Sequence, residues 1–289
     1  MLALRSPIDL EPIGELVCAN REDVQAAVAR ARAAQPDWAA KSFAERAEYM
    51  NRALKVLLAR QDEIVDTVVR ETGKARSDAM SMEIFAAADS LCYYAKNAQK
   101  FLRTRKERVH GLLGIAKQLR IVYRPLGVIG IITPWNGPFV LGLNPSVQAL
   151  MAGNTVVLKG SEVTPYSTKL VEDVFRDAGL PPGVLQVLMG DGQTGAYLTE
   201  AGVDKISFTG SVRTGRLIAE TCGRQLIPCT LELGGKDVMI DRDDADHDRG
   251  DQHPVETRTG TSGSDLAQQH VEDREQAAER REAVVHRVH

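Results

Sequence analysis

An asparagine follows shortly after an apolar run that contains no charged side chain. The run covers residues 127–132 and is followed by Thr133, Pro134, Trp135 and Asn136. An amide delivered by the end of a buried strand can donate a hydrogen bond to a developing oxyanion. The alternative is a plain Pro-Trp turn, in which the asparagine is only a residue that turns favour.

A glutamate lies near the end of a second strand-like run, between two leucines and ahead of two glycines. The segment is Leu231-Glu232-Leu233-Gly234-Gly235-Lys236. An apolar surround raises the pKa of a carboxyl group and makes it a better general base near neutral pH. We therefore predict that Glu232 acts as a general base.

A lysine and a glutamate three residues apart follow a third apolar run, in Lys159-Gly160-Ser161-Glu162. Both could face a ribose, because a carboxylate accepts hydrogen bonds from two vicinal hydroxyls and repels a 2′-phosphate. The segment also suits a helix N-terminus, with Ser161 or Thr164 as the cap and Glu162 favoured by the helix dipole. The two interpretations are compatible with each other.

A turn that contains glycine follows a fourth run. Its sequence is Phe208-Thr209-Gly210-Ser211-Val212-Arg213-Thr214-Gly215. Backbone amides and the Ser211 hydroxyl at the start of a helix would suit a pyrophosphate. Because the pattern is not GxGxxG, a plain strand–turn–helix remains the alternative.

The elements around these segments indicate an α/β protein. Apolar spacing and composition predict helices within the first hundred residues, at 21–34, 43–60, 64–71 and 77–101. From residue 119, apolar runs alternate with amphipathic stretches, which is typical of a parallel sheet with crossover helices. The predicted strands are 119–123, 127–132, 155–158, 184–189, 205–208 and 230–233, and the predicted helices include 164–178 and 213–222. Ligands of such sheets bind at the carboxyl ends of the strands, where all four polar segments fall.

Composition excludes several classes of protein. The chain has 289 residues, of which 43% are hydrophobic and 26% charged, and its net charge of −3 argues against a nucleic-acid binder or a membrane-surface protein. Residues 125–158 hold no charged side chain, but repeated Pro, Gly and Asn argue against a membrane span. Four widely spaced cysteines and an N-terminus without an apolar signal core predict a cytoplasmic protein without disulfides.

The residues from 241 to 289 differ in composition from the rest. They contain 13 acidic residues, seven arginines, one leucine and five of the six histidines, with no Lys, Phe, Tyr or Trp. Such a composition cannot bury enough apolar surface to offset the loss of chain entropy. We predict a disordered acidic tail, in which the Glu, Arg, Gln and Ala content of residues 271–285 would allow a short helix. The histidine spacings match no metal site, so no metal is expected.

In order and content, the four polar segments resemble signatures of the aldehyde dehydrogenase superfamily, over roughly residues 21–249. The matching residues are Pro134-Trp135-Asn136, Lys159-x-Ser161-Glu162, Phe208-Thr209-Gly210-Ser211 and Leu231-Glu232-Leu233-Gly234-Gly235-Lys236. Gly160 departs from the pattern, because the family usually has proline there. We expect this difference to affect loop stiffness more than chemistry.

The resemblance implies a Rossmann-like NAD(P)-binding domain with an N-terminal helical region, in an enzyme that oxidises an aldehyde to a carboxylic acid. A cysteine thiolate would attack a small-molecule aldehyde, Asn136 would hold the oxyanion, and Glu232 would activate water to hydrolyse the thioester. Glu162 favours NAD over NADP, and full-length members of the family are homo-oligomers. The cofactor-binding residues that the resemblance implies are Thr133, Trp135, Lys159, Ser161, Glu162, Gly192, Phe208, Thr209, Gly210, Ser211, Gly215, Leu233 and Gly234.

The resemblance also implies a part that this sequence lacks. The family's nucleophile follows the glutamate motif, whereas no cysteine follows Cys229 here, and the catalytic domain is missing. We predict an N-terminal helical part of the cofactor-binding domain at 1–118, an NAD-binding core at 119–240 and a tail at 241–289. The composition of the tail suits a gene read in a shifted frame. The chain is then an inactive aldehyde dehydrogenase, and the alternatives are a catalytically dead nucleotide-binding fragment or a partner-binding protein that uses its tail.

Overall fold

The computed structural model describes residues 2–111 and 113–235, and Met1–Gly234 forms one compact unit. The strands are β1 (Leu2–Arg5), β2 (Pro12–Leu16), β3 (Arg105–Glu107), β4 (Leu119–Ile121), β5 (Val128–Ile132), β6 (Thr155–Lys159), β7 (Leu185–Leu188), β8 (Lys205–Gly210) and β9 (Cys229–Leu233). The helices are α1 (Arg21–Ala40), α2 (Phe43–Ala59), α3 (Gln61–Thr72), α4 (Arg76–Asp78), α5 (Ala86–Leu102), α6 (Leu113–Ala116), α7 (Val140–Met151), α8 (Pro165–Asp177), α9 (Gly192–Glu200) and α10 (Val212–Gln225), with a π-helical segment (Ala79–Phe85) ahead of α5. Lys236, the predicted tail and its short helix lie outside the described residues.

Five strands form a parallel sheet in the order β7-β6-β5-β8-β9. This confirms the prediction of a Rossmann-like α/β fold. Every residue of β5 and β6 is buried. Both strands are therefore continuous apolar runs, since a strand covered on both faces has no solvent side on which to place polar residues.

Helices cover both faces of this sheet. Ile129 and Ile131 of β5 belong to a core that they share with α2, α3, α5, α7 and α8. Val128 and Ile132 belong to a second core, shared with α1, α9 and α10. Because successive side chains of a strand point to opposite faces, one central strand contributes to both cores.

The predicted N-terminal helices are confirmed, but α1 is longer than its prediction. The prediction ends at residue 34, ahead of Pro36, whereas α1 continues to Ala40. Trp38 accounts for the extra turn, because it is buried and its indole Nε1–H donates to the carbonyl of Leu150 at 3.0 Å. This tertiary contact offsets the free-energy cost of a proline inside a helix. Local sequence rules consider only that cost and not the contact.

The expectation that the first hundred residues are helical is wrong for the first sixteen. β1 and β2 form an antiparallel hairpin that pairs Leu2 with Leu16, and Leu4 and Leu16 are buried. A second antiparallel ribbon joins β3 to β4, which is two residues shorter than the predicted strand at 119–123. Both ribbons consist of short strands, which give only a weak local signal in the sequence.

The uncharged stretch at 125–158 folds as predicted from its breaks. It supplies β5, a loop, α7 and β6. Within the described ranges, no helix is long and apolar enough to cross a membrane.

Candidate functional site

The carboxyl ends of neighbouring strands lie side by side. The register pairs Ile132 with both Lys159 and Phe208, and it pairs Thr209 with Glu232. Three of the polar segments predicted from the sequence therefore start at the same edge of the sheet, and Glu232 lies beside one of them. The sheet register, rather than closeness in sequence, assembles these segments.

The strand order reverses between β5 and β8. The chain passes from β5 outward to β6 and β7, and then returns to the other side of β5 to form β8 and β9. At such a switch point the two loops leave in opposite directions and open a crevice in which α/β sheets bind ligands. The loops that flank it here begin at Thr133 and at Ser211.

Thr133, Trp135 and Asn136 form the loop after β5. The backbone N–H of Thr133 donates to the carbonyl of Lys159 at 3.1 Å. Its hydroxyl Oγ1 is buried and has no hydrogen-bond partner within the part of the chain that the structure describes. Trp135 and Asn136 are half-buried, and the carbonyl of Asn136 accepts a hydrogen bond from Lys74 Nζ. A buried hydroxyl in this state suits contact with a polar group of a ligand.

Lys159 and Glu162 contact each other at the end of β6. The Lys159 side chain is 5% exposed, and its Nζ donates to Oε2 of the 42% exposed Glu162 at 3.2 Å. Ser161, between them, accepts a hydrogen bond from the backbone N–H of Val163 at 3.2 Å. Their contact places the lysine and the glutamate side by side, and the prediction that both face a ribose stays a prediction.

The predicted capping of α8 by Ser161 or Thr164 is wrong. Thr164 makes no side-chain cap hydrogen bond. The carboxylate of Glu71, from α3, accepts the N–H groups of Tyr166 and Ser167 at 2.8 and 2.7 Å instead. Burial raises the pKa of Glu71, although these hydrogen bonds act against the increase. A side chain that is distant in sequence therefore caps α8, whereas the sequence rule expects a neighbouring residue to cap it.

At most of the helix N-termini along this edge of the sheet, a carboxylate accepts hydrogen bonds from backbone N–H groups. Glu83 accepts from the N–H groups at the start of α7, Glu71 does so at α8, and Asp191 caps α9. At the start of α10, Ser211 caps by accepting from the N–H of Thr214 at 3.2 Å, and the first turn holds no acidic residue. Of the helix starts at this edge that the structure describes, α10 is therefore best suited to an anion.

Several predicted cofactor residues have packing roles that the structure shows directly. A Cβ at Gly210 would lie 2.6 Å from the ring of the buried Phe208, and one at Gly215 would lie 2.5 Å from Leu233. Gly192 is exposed at the start of α9, and a Cβ built on it would meet nothing within 4 Å. Packing explains Gly210 and Gly215 without a ligand, and their contacts with a cofactor stay predictions.

Glu232 lies on β9 at the edge of the sheet, and its environment differs from the expectation. The sequence predicts an apolar surround, whereas the residue is exposed, as are Leu233 and Gly234. The leucines that flank Glu232 project from the opposite face of the strand, because neighbouring side chains alternate. The two flanking leucines therefore do not bury the carboxylate.

Neither cysteine near Glu232 has the properties of a nucleophile for this site. Cys229 begins β9, on the same strand as Glu232, and Cys222 lies in the last turn of α10. Burial raises the pKa of Cys222 to about 11, with a further contribution from the neighbouring Cys229. The Cys222 thiol is therefore protonated at neutral pH, and a protonated thiol is a poor nucleophile.

Sequence reasoning missed three charged residues that are buried beneath the site. They are Glu71, Lys74 and Glu83. The backbone groups that they hold lie 56 to 96 residues further along the chain. No local pattern separates them from the solvated charges of an ordinary surface helix, so the sequence carried no signal that could have found them.

Comparison with known protein sequences identifies a family and relatives of this chain. The sequence model of the aldehyde dehydrogenase family matches residues 1–265, which begins before residue 21 and ends after residue 249. The chain is 39% identical over 245 residues to a 4,4'-diapolycopene aldehyde oxidase of Methylomonas sp, covering 85% of this chain and 46% of that protein.

Solved structures give the same result. A Mycobacterium tuberculosis aldehyde dehydrogenase complexed with NAD+ matches with a TM-score of 0.76 at 36% identity, over 82% of this chain and 48% of that one. An E. coli NADP dependent enzyme matches with a TM-score of 0.80 at 30% identity, over 91% of this chain and 54% of that one. The chain spans about half the length of each of these proteins.

The fold and the loops at its carboxyl edge place the chain among the parallel α/β proteins that bind ligands at a topological switch point. The family match over most of its length makes the assignment specific. The chain belongs to the aldehyde dehydrogenase family, as the four polar segments predict.

Proposed function

We propose that this chain binds NAD at the carboxyl edge of its parallel sheet, as the cofactor-binding part of an enzyme that oxidises a small aldehyde to a carboxylic acid. The pairing of buried Lys159 with partly exposed Glu162 at the end of β6 carries the proposal. A lysine that donates and a carboxylate that accepts, held 3.2 Å apart, match the two vicinal hydroxyls of a ribose.

The remaining parts of the edge fit the rest of a dinucleotide. The start of α10 offers backbone amides, the Ser211 hydroxyl and the positive end of a 14-residue helix to a pyrophosphate. On the other side of the switch point, Trp135 is half-buried, and the Thr133 hydroxyl has no hydrogen-bond partner among the described residues. We assign the nicotinamide end to this loop, because Asn136 would act beside it. When bound, NAD would supply the hydride acceptor.

Glu162 sets the proposed preference for NAD over NADP. Its carboxylate would accept from the ribose 2′-hydroxyl of NAD, but it would repel the 2′-phosphate of NADP. Solved relatives of this chain include one with NAD+ and one from an NADP dependent enzyme. The preference therefore rests on this side chain and its contact with Lys159.

Asn136 and Glu232, at the same edge of the sheet, have proposed roles in the chemistry. Asn136 would donate its amide to the oxyanion, and the exposed Glu232 would activate water. Hydride can leave the aldehyde carbon only after a nucleophile has added, and no cysteine follows Cys229 in this sequence. We propose that the chain of 289 residues binds NAD but does not turn over aldehydes. Loss of a nucleophile removes on the order of 10⁴ to 10⁶ in rate from comparable enzymes.

Calorimetry with NAD and NADP tests the binding proposal. The unchanged chain should bind NAD more tightly, and Glu162→Gln should shrink the ratio of the two affinities roughly tenfold. Glu172→Gln is the matched control, because Glu172 forms the same three-residue pair with Lys169 on α8, away from the proposed site. Tighter binding of NADP that is unchanged in Glu162→Gln would refute the role of Glu162.

NADH absorbance with a panel of aliphatic and aromatic aldehydes tests the absence of turnover. We expect no signal above the blank from purified chain of confirmed mass. Turnover lost in Cys222→Ser or Cys229→Ser would show that one of these thiols is the nucleophile after all. Turnover that survives both changes and disappears in Glu232→Ala would contradict the proposed chemistry itself.

A further inference from the structure

A carboxylate with no exposure to solvent lies directly under the loop that carries Asn136. Glu83 belongs to the π-helical segment, and its side chain is 0% exposed. Its Oε2 accepts the backbone N–H groups of Phe139 and Val140 at 3.2 and 2.8 Å. These amides belong to the N-cap and the first residue of α7, so Glu83 ties the end of the loop and the start of that helix to the helical region.

A buried lysine links the same carboxylate to the middle of the loop. The Lys74 side chain is 6% exposed, and its Nζ donates to Oε1 of Glu83 at 2.9 Å. The same Nζ also donates to the backbone carbonyl of Asn136. The two side chains therefore hold the loop at two points, residue 136 and residues 139–140, through three charged hydrogen bonds.

Stability alone does not account for a buried ion pair at this place. Removing two charges from water costs several kcal/mol per ion, and apolar residues of similar volume often stabilise a protein as well or better. Charged hydrogen bonds are directional, however, so they fix a backbone position that apolar packing leaves adjustable. The unusual π-turn that presents Glu83 is also a geometry found most often beside functional sites.

We infer that Lys74 and Glu83 are positioning residues, which fix the loop of residues 133–140 so that Trp135 and Asn136 are presented to the nicotinamide end of the cofactor. The hydrogen bonds that hold the loop are observed in the structure, whatever the chain binds. Its consequence for the cofactor rests on the proposed function. Both residues act through the loop backbone, to which their side chains are hydrogen-bonded.

Glu71 provides a matched control within the same chain. It is also buried, and its carboxylate also accepts two backbone N–H groups at a helix start, those of Tyr166 and Ser167 in α8. Within the described part of the chain, Glu71 pairs with no lysine and makes no hydrogen bond to the loop that carries Asn136. Loss of Glu71 should therefore disturb α8 and leave that loop unchanged.

Hydrogen exchange followed by mass spectrometry of peptides tests the hold on the loop in the full chain. In Glu83→Gln, the amides of Phe139 and Val140 should exchange about ten- to a hundredfold faster, which is the effect of losing a charged hydrogen bond. Peptides covering residues 165–170 should be unchanged. Glu71→Gln should give the opposite pattern. Lys74→Met keeps the test open if Glu83→Gln does not fold, and it should loosen residues 133–138.

Nucleotide binding tests the consequence for the cofactor. ADP shares the adenosine and pyrophosphate of NAD but lacks the nicotinamide half. In Lys74→Met, the affinity for NAD should fall roughly tenfold, while the affinity for ADP stays within a factor of two, as expected if only the loop contact is weakened. A merely structural role would lower both affinities together.

Three results would overturn the inference. They are unchanged exchange at residues 133–140 in both variants, faster exchange spread evenly over the chain, and equal losses for NAD and ADP. If the unchanged chain binds neither nucleotide, the proposed function fails. The exchange experiment then still decides whether the pair fixes the loop.

Discussion

Gly160 offers a direct test of how the strand ends are packed, because alanine at this position has no room. A Cβ built on Gly160 would lie 2.1 Å from Thr168 Oγ1 and 2.6 Å from both Thr168 Cβ and Cγ2. Thr168 is buried in α8, and its Oγ1 donates toward the carbonyls of Pro138 and Thr164, at 3.3 Å each. A β-branched side chain held in this way cannot turn aside.

We expect Gly160→Ala to lower the free energy of unfolding by about 1 to 3 kcal/mol, the usual cost of forcing an extra carbon into a packed site. Urea unfolding followed by circular dichroism measures the change. Gly223→Ala is the control, since Gly223 lies exposed in α10 with nothing within 4 Å of its Cβ position. It should raise stability by up to about 1 kcal/mol, because alanine is the better helix former.

The contact with Thr168 can be isolated by a second substitution. Thr168→Ala removes Oγ1 and Cγ2, so part of the cost of Gly160→Ala should disappear in the double variant, with a coupling of about 1 kcal/mol or more. Additive effects would show that the clash with Thr168 is not the cause. A Gly160→Ala chain within about 0.5 kcal/mol of the unchanged one would refute the packing argument altogether.

The result also bears on a difference from the family pattern. The expectation that proline or glycine at this position chiefly alters loop stiffness is incomplete, because a proline Cβ would meet the same Thr168 atoms. Glycine at 160 and threonine at 168 therefore form one packing unit in this chain. The same arrangement recurs at the next strand, where a Cβ on Gly190 would lie 2.1 Å from Thr194 Oγ1.

Two further predictions follow from buried titratable groups. Because burial raises the pKa of Glu71 above its usual 4.5, the stability linked to its protonated form is present below that value and is lost as the pH rises through the folded pKa. Urea unfolding between pH 4 and 7 should show the unchanged chain losing stability relative to Glu71→Gln as the pH rises, and a pH-independent difference would contradict this. For Cys222, a pKa of about 11 instead of 9.0 lowers the thiolate fraction at pH 8 about a hundredfold. Iodoacetamide should therefore label Cys18, Cys92 and Cys229 well before Cys222 in the folded chain, as peptide mass spectrometry would show, whereas equal rates would refute it.

The sheet and the four polar segments could be predicted from the sequence for a physical reason. A strand buried on both faces must be apolar throughout, so β5 and β6 stand out as continuous runs. Strands in a parallel sheet end at one edge, so the polar residues behind each run had to meet there. Each of these inferences uses neighbours in sequence, which is why it needs no coordinates.

Local patterns failed where distant residues decide the outcome. Pro36 marks the end of a helix by local rules, yet α1 continues because Trp38 docks on a carbonyl 112 residues away. Glu232 lies between two leucines, which suggests an apolar surround, yet it is exposed because β9 is the edge strand of the described sheet. Sequence spacing could not supply either fact.

The sequence by itself determined the fold class, the family and the place of the four polar segments at the ends of strands, because these depend on residue types in order along the chain. The tertiary structure alone decided which charges lie beneath those segments and what they hold. Glu71 and Glu83 look like ordinary helix-surface glutamates in sequence, but each accepts from backbone amides at the start of another helix, 56 to 95 residues further along the chain. A buried carboxylate is stable only where donors surround it, and only the folded chain brings those donors together.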